Sequence, residues 1–325
     1  MMKRFAFIGV LLSLIFAGYS YADQVEGCLG DIAKRCVKQT SESSPKFEVI
    51  RFPRDKGYKL EVLANNDSPQ KKEPLKLTTV FDLAYDSPEK KKVVAAINGF
   101  NFYSDSTLFP QGTHGKTETI LVKKGSHLSG PEKNDKQAVL EFSNNPDTTG
   151  KFPLNHFGTE DSIDSYGSSS FIGTRTLFFK DGKCNEQYSH CAPGGEGCEI
   201  GILKKGEADY VSAIGFSDDE IVLVASQDKV KSFQQICDIF PDDTKYAYFM
   251  DGGSASSLVV SRELASNKTG DFENVIPGRY GYGYVLDEHR PVAYAVAVLS
   301  PATHLKLTSP TSNEVIPHSV ENDYT

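Results

Sequence analysis

The chain has no surplus of basic residues: Lys and Arg number 35 against 43 Asp and Glu, a net charge of −8 over 325 residues. No strong block of either sign occurs. A phosphate backbone needs a basic patch, so the balance argues against nucleic acid as a partner, and the charge serves mainly solubility. Beyond the N-terminus there is no apolar run long enough to cross a bilayer. The short Cys-x2-Cys pair of zinc sites is absent, as are an EF-hand loop and a His-x-x-x-His helix. No internal repeat is visible. Nor does a Gly-x-Ser-x-Gly turn surround Ser226, which reads as a helix cap rather than a nucleophile.

What is present begins with an address. Lys3-Arg4, an apolar run from Phe5 to Ala17 and the small-x-small end Ser20-Tyr21-Ala22 have the layout of a secretory signal peptide, with cleavage expected after Ala22. An uncleaved anchor is the alternative. Cleavage removes two cations and takes the net charge from −8 to −10. The expected product is exported, to a periplasm or the extracellular space, with no membrane span remaining. All six cysteines (Cys28, Cys36, Cys184, Cys191, Cys198 and Cys237) lie beyond Ala22, which suits disulfides in an oxidising compartment. Cys28–Cys36 is the natural local pair. Cys184, Cys191 and Cys198 with His190 offer a zinc alternative, which their spacing disfavours.

Along the chain, residues 23–74 read as a polar leader followed by first strands. Phe47 to Phe52 and Tyr58 to Leu63 look like strands joined by a hairpin loop, Pro53 to Gly57. Thr78 to Tyr85 suits a short helix stopped at Asp86-Ser87-Pro88. Val93 to Tyr103 is apolar enough for a strand buried on both faces, punctuated by Asn98-Gly99. Thr119 to Val122 and Ala138 to Phe142 are strand-like, and the rest of 129–168 reads as surface loop. Phe171 to Phe179 suggests one strand, and Tyr210 to Phe216 with Ile221 to Ala225 a hairpin. Val230, Phe233, Ile236, Cys237 and Phe240 share a helical face, with Ser226 or Asp228 as N-cap. Pro291 to Leu299 is a last strand, and residues 301–325 a flexible tail. Many strands and few helices in mixed order predict an α+β fold of mixed, largely antiparallel sheets with a few packed helices.

The chain is organised around Lys245 to Val260. An aromatic apolar run stops at Asp251-Gly252-Gly253-Ser254, and a second apolar run follows. Strand, polar turn, strand is the simplest reading. Paired glycines permit positive φ and close approach of a ligand, and successive N–H groups can cradle an anion. Asp251 either caps its own turn or points from a rigid strand into that cradle.

Six blocks in this order carry a resemblance. Val94-Ala-Ala-Ile-Asn98-Gly99 followed by Phe102, Pro110-x-Gly112, Thr176 to Gly182, Ala213-Ile-Gly215 with Ile221 to Ser226, Tyr246 to Gly253, and Arg290-Pro-Val-Ala-x-Ala together resemble the phosphodiester glycosidases. That family's best-known member removes N-acetylglucosamine from a sugar phosphodiester. The resemblance implies one domain of this type over 75–300. Three positions depart from the family pattern: Phe100 and Asn101 stand where Gly and Phe are usual, Ser254 replaces a third Gly, and Tyr210-Val211-Ser212 lacks the Arg usual before the Ala-Ile-Gly block.

Cleavage of a sugar 1-phosphodiester needs a group to stabilise or attack the anomeric carbon and something to hold phosphate. The leaving phosphate monoester relaxes the demand for a general acid. The resemblance makes Asp251 the candidate carboxylate. Asn98 becomes a ligand to a sugar hydroxyl or a support for Asp251. Gly99, Gly252, Gly253 and Ser254 become donors to the substrate. Arg175 and Arg290 are the candidate phosphate-binding guanidiniums. His114, in a Gly-flanked loop, reads as exposed. No cofactor is implied, although Asp251, Asn98 and backbone carbonyls could hold a divalent cation. Two functions follow: an exported hydrolase of a sugar 1-phosphodiester in a glycan, or a catalytically silent relative that binds a saccharide or a protein.

Overall fold

The computed structural model describes residues 24–65, 75–100, 102–104, 114–131, 137–158, 161, 163, 165–174, 177–184, 209–267, 269–276 and 291–301. Among these the chain is mostly antiparallel sheet. The large sheet has eight strands in the order Gln24–Leu29, Lys34–Gln39, Phe47–Pro53, Glu220–Ser226, Ser212–Phe216, Tyr246–Phe249, Leu177–Lys180 and Lys183–Cys184. A central sheet orders Phe272–Ile276, Leu258–Ser261, Val93–Asn98, Ala295–Leu299 and Lys59–Leu63. A third sheet orders Ser126–Ser129, Leu121–Lys123, Ser170–Thr174, Ala138–Phe142 and Leu154–Phe157. Leu75–Lys76, His114–Thr117 and Phe102–Ser104 make a small three-stranded sheet.

The central sheet explains the unbroken apolar run at Val93–Asn98. Successive side chains in a strand point to opposite faces, and here both faces are covered. Ile97, Val296, Val298, Leu258 and Val260 join the main core shared with the large sheet. Val93, Ala96, Ala295, Ala297, Leu299 and Val259 join a second core under the helix Val80–Tyr85. Each fully buried Val or Leu contributes about 1.5–3 kcal/mol, whichever face it meets. The apolar pattern therefore leaves the register of this strand weakly specified, and its polar end must set it.

Helix is scarcer than an α+β reading implies. Among the described residues α-helix is confined to Val80–Tyr85 and Phe233–Cys237. The first is capped by Thr79, whose hydroxyl accepts from the Asp82 amide at 3.0 Å. The second starts at Ser232, later than expected. Both anticipated caps are engaged elsewhere: Ser226 Oγ accepts from the Val211 amide, and Asp228 Oδ2 from the Lys46 amide.

Two expected connections differ as well. Pro53 to Gly57 is a crossover, not a hairpin loop, because the strands it joins lie in the large and central sheets. Phe171 to Phe179 divides into two strands, Ser170–Thr174 in the third sheet and Leu177–Lys180 in the large one. Leu154–Phe157 adds a strand where loop was expected. The Ser212–Phe216 and Glu220–Ser226 hairpin forms as read.

Cys28 and Cys36 are disulfide-bonded, closing the hairpin at the edge of the large sheet. A second disulfide joins Cys184 to Cys237, tying the far edge strand to the second helix. The zinc alternative loses Cys184 to this bond; Cys191, Cys198 and His190 lie outside the described residues. The leader 1–22 and the tail beyond Pro301 also lie outside them. No helix among the described residues is long and apolar enough to cross a membrane.

His156 links the third sheet to the large one. Its Nδ1 lies 2.7 Å from the Tyr248 hydroxyl, and its ring stacks on Tyr246 at 4.2 Å between centroids. Burial, then the Lys180 charge, lowers the His156 pKa from 6.5, with Asp161 and Asp181 opposing. The unfolded chain therefore takes up this proton first as pH falls. The stability held by neutral His156 is complete above about pH 6.5 and declines until pH passes the lower folded value. Between pH 7.5 and 5.5 the melting temperature should fall more for the parent than for His156→Gln; equal shifts in differential scanning fluorimetry would remove His156 from this role.

Candidate active site at the seam of two sheets

The two glycine-punctuated strand ends meet. Val93–Asn98 ends in the central sheet and Tyr246–Phe249 in the large sheet, and the chain beyond each converges on one seam. The Asp251 amide donates to the Gly99 carbonyl at 2.9 Å, and the Gly99 amide donates to the Tyr294 carbonyl at 2.9 Å. Asp251 to Ser257 is thus not a hairpin turn. It carries the chain from the large sheet to the Leu258–Ser261 strand of the central one through a 3-10 turn at Gly253–Ala255.

Asn98 fastens this seam. It is fully buried, and every hydrogen-bonding position on its amide is engaged. Nδ2 donates to the Asp251 carbonyl at 2.7 Å and the Gly99 carbonyl at 3.0 Å. Oδ1 accepts from the Ser212 hydroxyl and the Ser257 amide, both at 2.9 Å. An amide offers two donors and two acceptor lone pairs, so its capacity is exhausted. Of the two roles expected for Asn98, support of Asp251 matches this geometry; a bond to a sugar hydroxyl requires one of the four to break. The divalent-cation reading also loses Asn98 as a ligand, since no lone pair on Oδ1 remains. Among the described residues no group of three or more His, Cys, Asp or Glu is arranged to hold a metal.

Ser212 completes the brace: its hydroxyl also lies 3.0 Å from the Asp251 carbonyl, with Ser256 Oγ further off at 3.5 Å. The Asp251 main chain is thereby held from both sides while its side chain remains half-buried. The Met250 amide bonds the Ser212 carbonyl, and Thr174 Oγ1 donates to the Phe249 carbonyl at 2.8 Å. Beneath lies Tyr294, whose hydroxyl accepts from the Phe100 amide at 2.9 Å. Burial first, and then the Asp251 charge, pushes the Tyr294 phenol well above its ordinary value, with the Phe100 amide opposing. The Asp251 carboxylate therefore exerts its field on this buried hydroxyl, which stays protonated.

The glycines have specific reasons. A Cβ on Gly99 would sit 2.4–2.6 Å from atoms of the Tyr294 ring, so the ring packs directly on bare backbone. Gly253 has φ +62 and lies against Asp209, whose Oδ2 would be 3.0 Å from an added Cβ. Its amide donates to the Tyr210 carbonyl at 2.8 Å and is not free to serve an anion. Of the two glycine amides in the turn, that of buried Gly252 has no hydrogen-bond partner among the described residues.

Of the remaining expected site residues, Ser254 has its backbone in the 3-10 turn and its side chain outside what is described. Arg175 and Arg290 lie outside the described residues, each beside a residue that is placed. Thr174 anchors Phe249 two positions before Asp251, and Pro291 follows Arg290 into the segment that carries Tyr294. The His114 side chain is likewise not described. Val211, standing where the family pattern has an arginine nearby, is fully buried in the main core. Sequence reasoning missed Ser212, Ser257 and Tyr294, the partners that build the brace. It also missed Asp209, a second carboxylate against the turn, whose only sequence signal is its place two residues before Val211.

The family model for phosphodiester glycosidases matches residues 91–299. The chain belongs to the phosphodiester glycosidase family. Among solved structures, the zebrafish N-acetylglucosamine-1-phosphodiester alpha-N-acetylglucosaminidase catalytic domain, auto-inhibited by its pro-peptide, is similar at 12% identity. That match covers 86% of this chain and 83% of the zebrafish chain, with a TM-score of 0.47. A Burkholderia pseudomallei protein described as a "Putative exported protein" shares the fold at 10% identity and a TM-score of 0.55, covering 82% of this chain and 74% of its own. No curated protein matches the chain. Strands from residues 24–63 complete both the large and the central sheet from outside the family match.

Asn98→Ala strips the Ser257 amide of its partner and takes one donor each from the Asp251 and Gly99 carbonyls, which keep the Ser212 hydroxyl and the Asp251 amide, and should cost about 1–3 kcal/mol. Gly99→Ala drives a methyl into the Tyr294 ring and should cost about 1–3 kcal/mol. Tyr294→Leu in the Gly99→Ala background should recover part of that loss. Urea unfolding checks all three; parental stability in Asn98→Ala would contradict the brace.

Proposed function

We propose that the protein is an exported glycoside hydrolase that cleaves the bond between a sugar anomeric carbon and a phosphodiester. The observation that carries this is the meeting of Asn98-Gly99 and Asp251-Gly252 at one braced seam, within a chain of the phosphodiester glycosidase family. Export is supported by the charged and apolar N-terminus and by the two disulfides.

In this mechanism Asp251 meets the anomeric carbon as positive charge develops there, either attacking it or directing a water to it. Asn98 and Ser212 act as positioning residues. Asn98 donates to the Asp251 carbonyl, and the Ser212 hydroxyl, whose one proton is shared between Asn98 Oδ1 and that carbonyl, fixes the amide. The carboxylate is thus aimed by backbone that cannot shift without breaking buried bonds. The Gly252 amide supplies a donor for the phosphate oxygens, with Arg175 or Arg290 as the guanidinium partner. The C–O bond to phosphate breaks, its electron pair leaves with the phosphate monoester, and water supplies the hydroxyl of the freed sugar. We assign residues 75–300, whose sheets are completed by the strands of residues 24–63, to the catalytic domain and 301–325 to a tail.

The buried Val211 favours a second reading, a silent relative that binds a saccharide or a protein partner without turning it over. Both share the fold and separate on turnover. Purified protein should release free sugar from a member of a panel of sugar 1-phosphodiesters. Asp251→Asn should lower kcat by a factor of about 1,000 or more with unchanged melting temperature. A folded protein silent across the panel would select the binding reading.

A further inference from the structure

The far end of the Val93–Asn98 strand, about 17 Å of strand away from Asn98, carries a groove that the seam does not use. Its volume is 480 Å3, enough for a compact ligand. Four cations line it, the consecutive Lys90, Lys91 and Lys92 and the distant Arg262, against two carboxylates, Glu263 and Asp271. In a chain of net charge −8 this is a local reversal of sign.

Not all of these cations are neutralised within the fold. Lys90 reaches Asp271 only at 3.8 Å and lies 4.1 Å over the Tyr85 ring, and Lys92 reaches Glu89 at 3.8 Å. Such long, exposed pairs contribute little. Lys91 and Arg262 have no side-chain partner among the described residues. A run of three lysines on a one-turn 3-10 helix is ordinarily a solvated edge. That reading does not account for Arg262, brought to the same groove from 170 residues away. Nor does it account for a floor built from Val93, Val94 and the 8% exposed Phe272. Apolar floor, hydroxyls from Ser261 and Ser300, and two free cations together make a site for an anion carried on a compact ring.

We propose that this groove is an accessory binding site for a sugar phosphate, with the phosphate on Lys91 and Arg262 and the ring over Phe272. The choice of a saccharide rests on the reading in the preceding section; the demand for an anion does not. The test is amine-reactive labelling of Lys91 in the full chain, read by peptide mass spectrometry. Glucose 1-phosphate should slow labelling of Lys91, with glucose and inorganic phosphate each protecting far less. Arg262→Gln, an exposed substitution, should weaken the protection about ten-fold, while Asp251→Asn should leave it unchanged. Equal protection by inorganic phosphate, undiminished protection in Arg262→Gln, or no protection by any of the three probes would overturn the site. Protection of Lys91 without hydrolysis of any phosphodiester would keep the groove and reject the catalytic reading; hydrolysis without protection would do the reverse.

Discussion

One buried amide joins the two halves of this fold. Asn98 sits where the central sheet ends, and its four hydrogen bonds reach Gly99, Asp251, Ser212 and Ser257, which belong to segments up to 159 residues apart. Both faces of its strand are apolar, so hydrophobic burial tolerates a slip that the amide does not. Moving Asn98 by one residue would strand its donors and acceptors in a dry interior, at a cost of about 1–3 kcal/mol for each group left unmet. The same bonds that set the register also hold the Asp251 carbonyl. Folding and placement of the candidate carboxylate are thus one constraint, and rigidity at Asp251 follows from packing rather than from the turn itself.

The seam and the groove divide the charge of the molecule. At the seam, a half-buried carboxylate acts on a buried phenol, and the Gly252 amide has no hydrogen-bond partner among the described residues. At the far end of the strand, Lys91 and Arg262, without side-chain partners among the described residues, face an apolar floor. An anionic substrate of the proposed kind would meet the field of an acidic protein, and the cations of the groove are a local reversal of that sign.

Much of the strand content was legible in the sequence because long apolar runs and Gly punctuation survive without context. Val93–Asn98 and Ser212–Phe216 are examples. Connectivity was not. Pro53 to Gly57 has the residues of a hairpin loop, yet crosses between sheets, since the same turn chemistry serves both. Ser226 and Asp228 have the right composition for an N-cap, but distant amides take their side chains. The importance of Asn98 was visible as a punctuation mark; its role was not, because Ser212 and Ser257 lie more than 100 residues away and look like ordinary serines. Asp209 gave no sign at all, as its closeness to Gly253 is a product of tertiary structure.

The central claim is that the braced Asp251 turn receives the scissile sugar–phosphate bond. It is tested most directly by a crystal structure of Asp251→Asn soaked with a sugar 1-phosphodiester. The account predicts the anomeric carbon about 3–3.5 Å from the residue 251 side chain, in near-attack geometry, with a phosphate oxygen on the Gly252 amide and the Asn98 bonds unchanged. A substrate bound elsewhere, with the seam closed over residue 251, would contradict it.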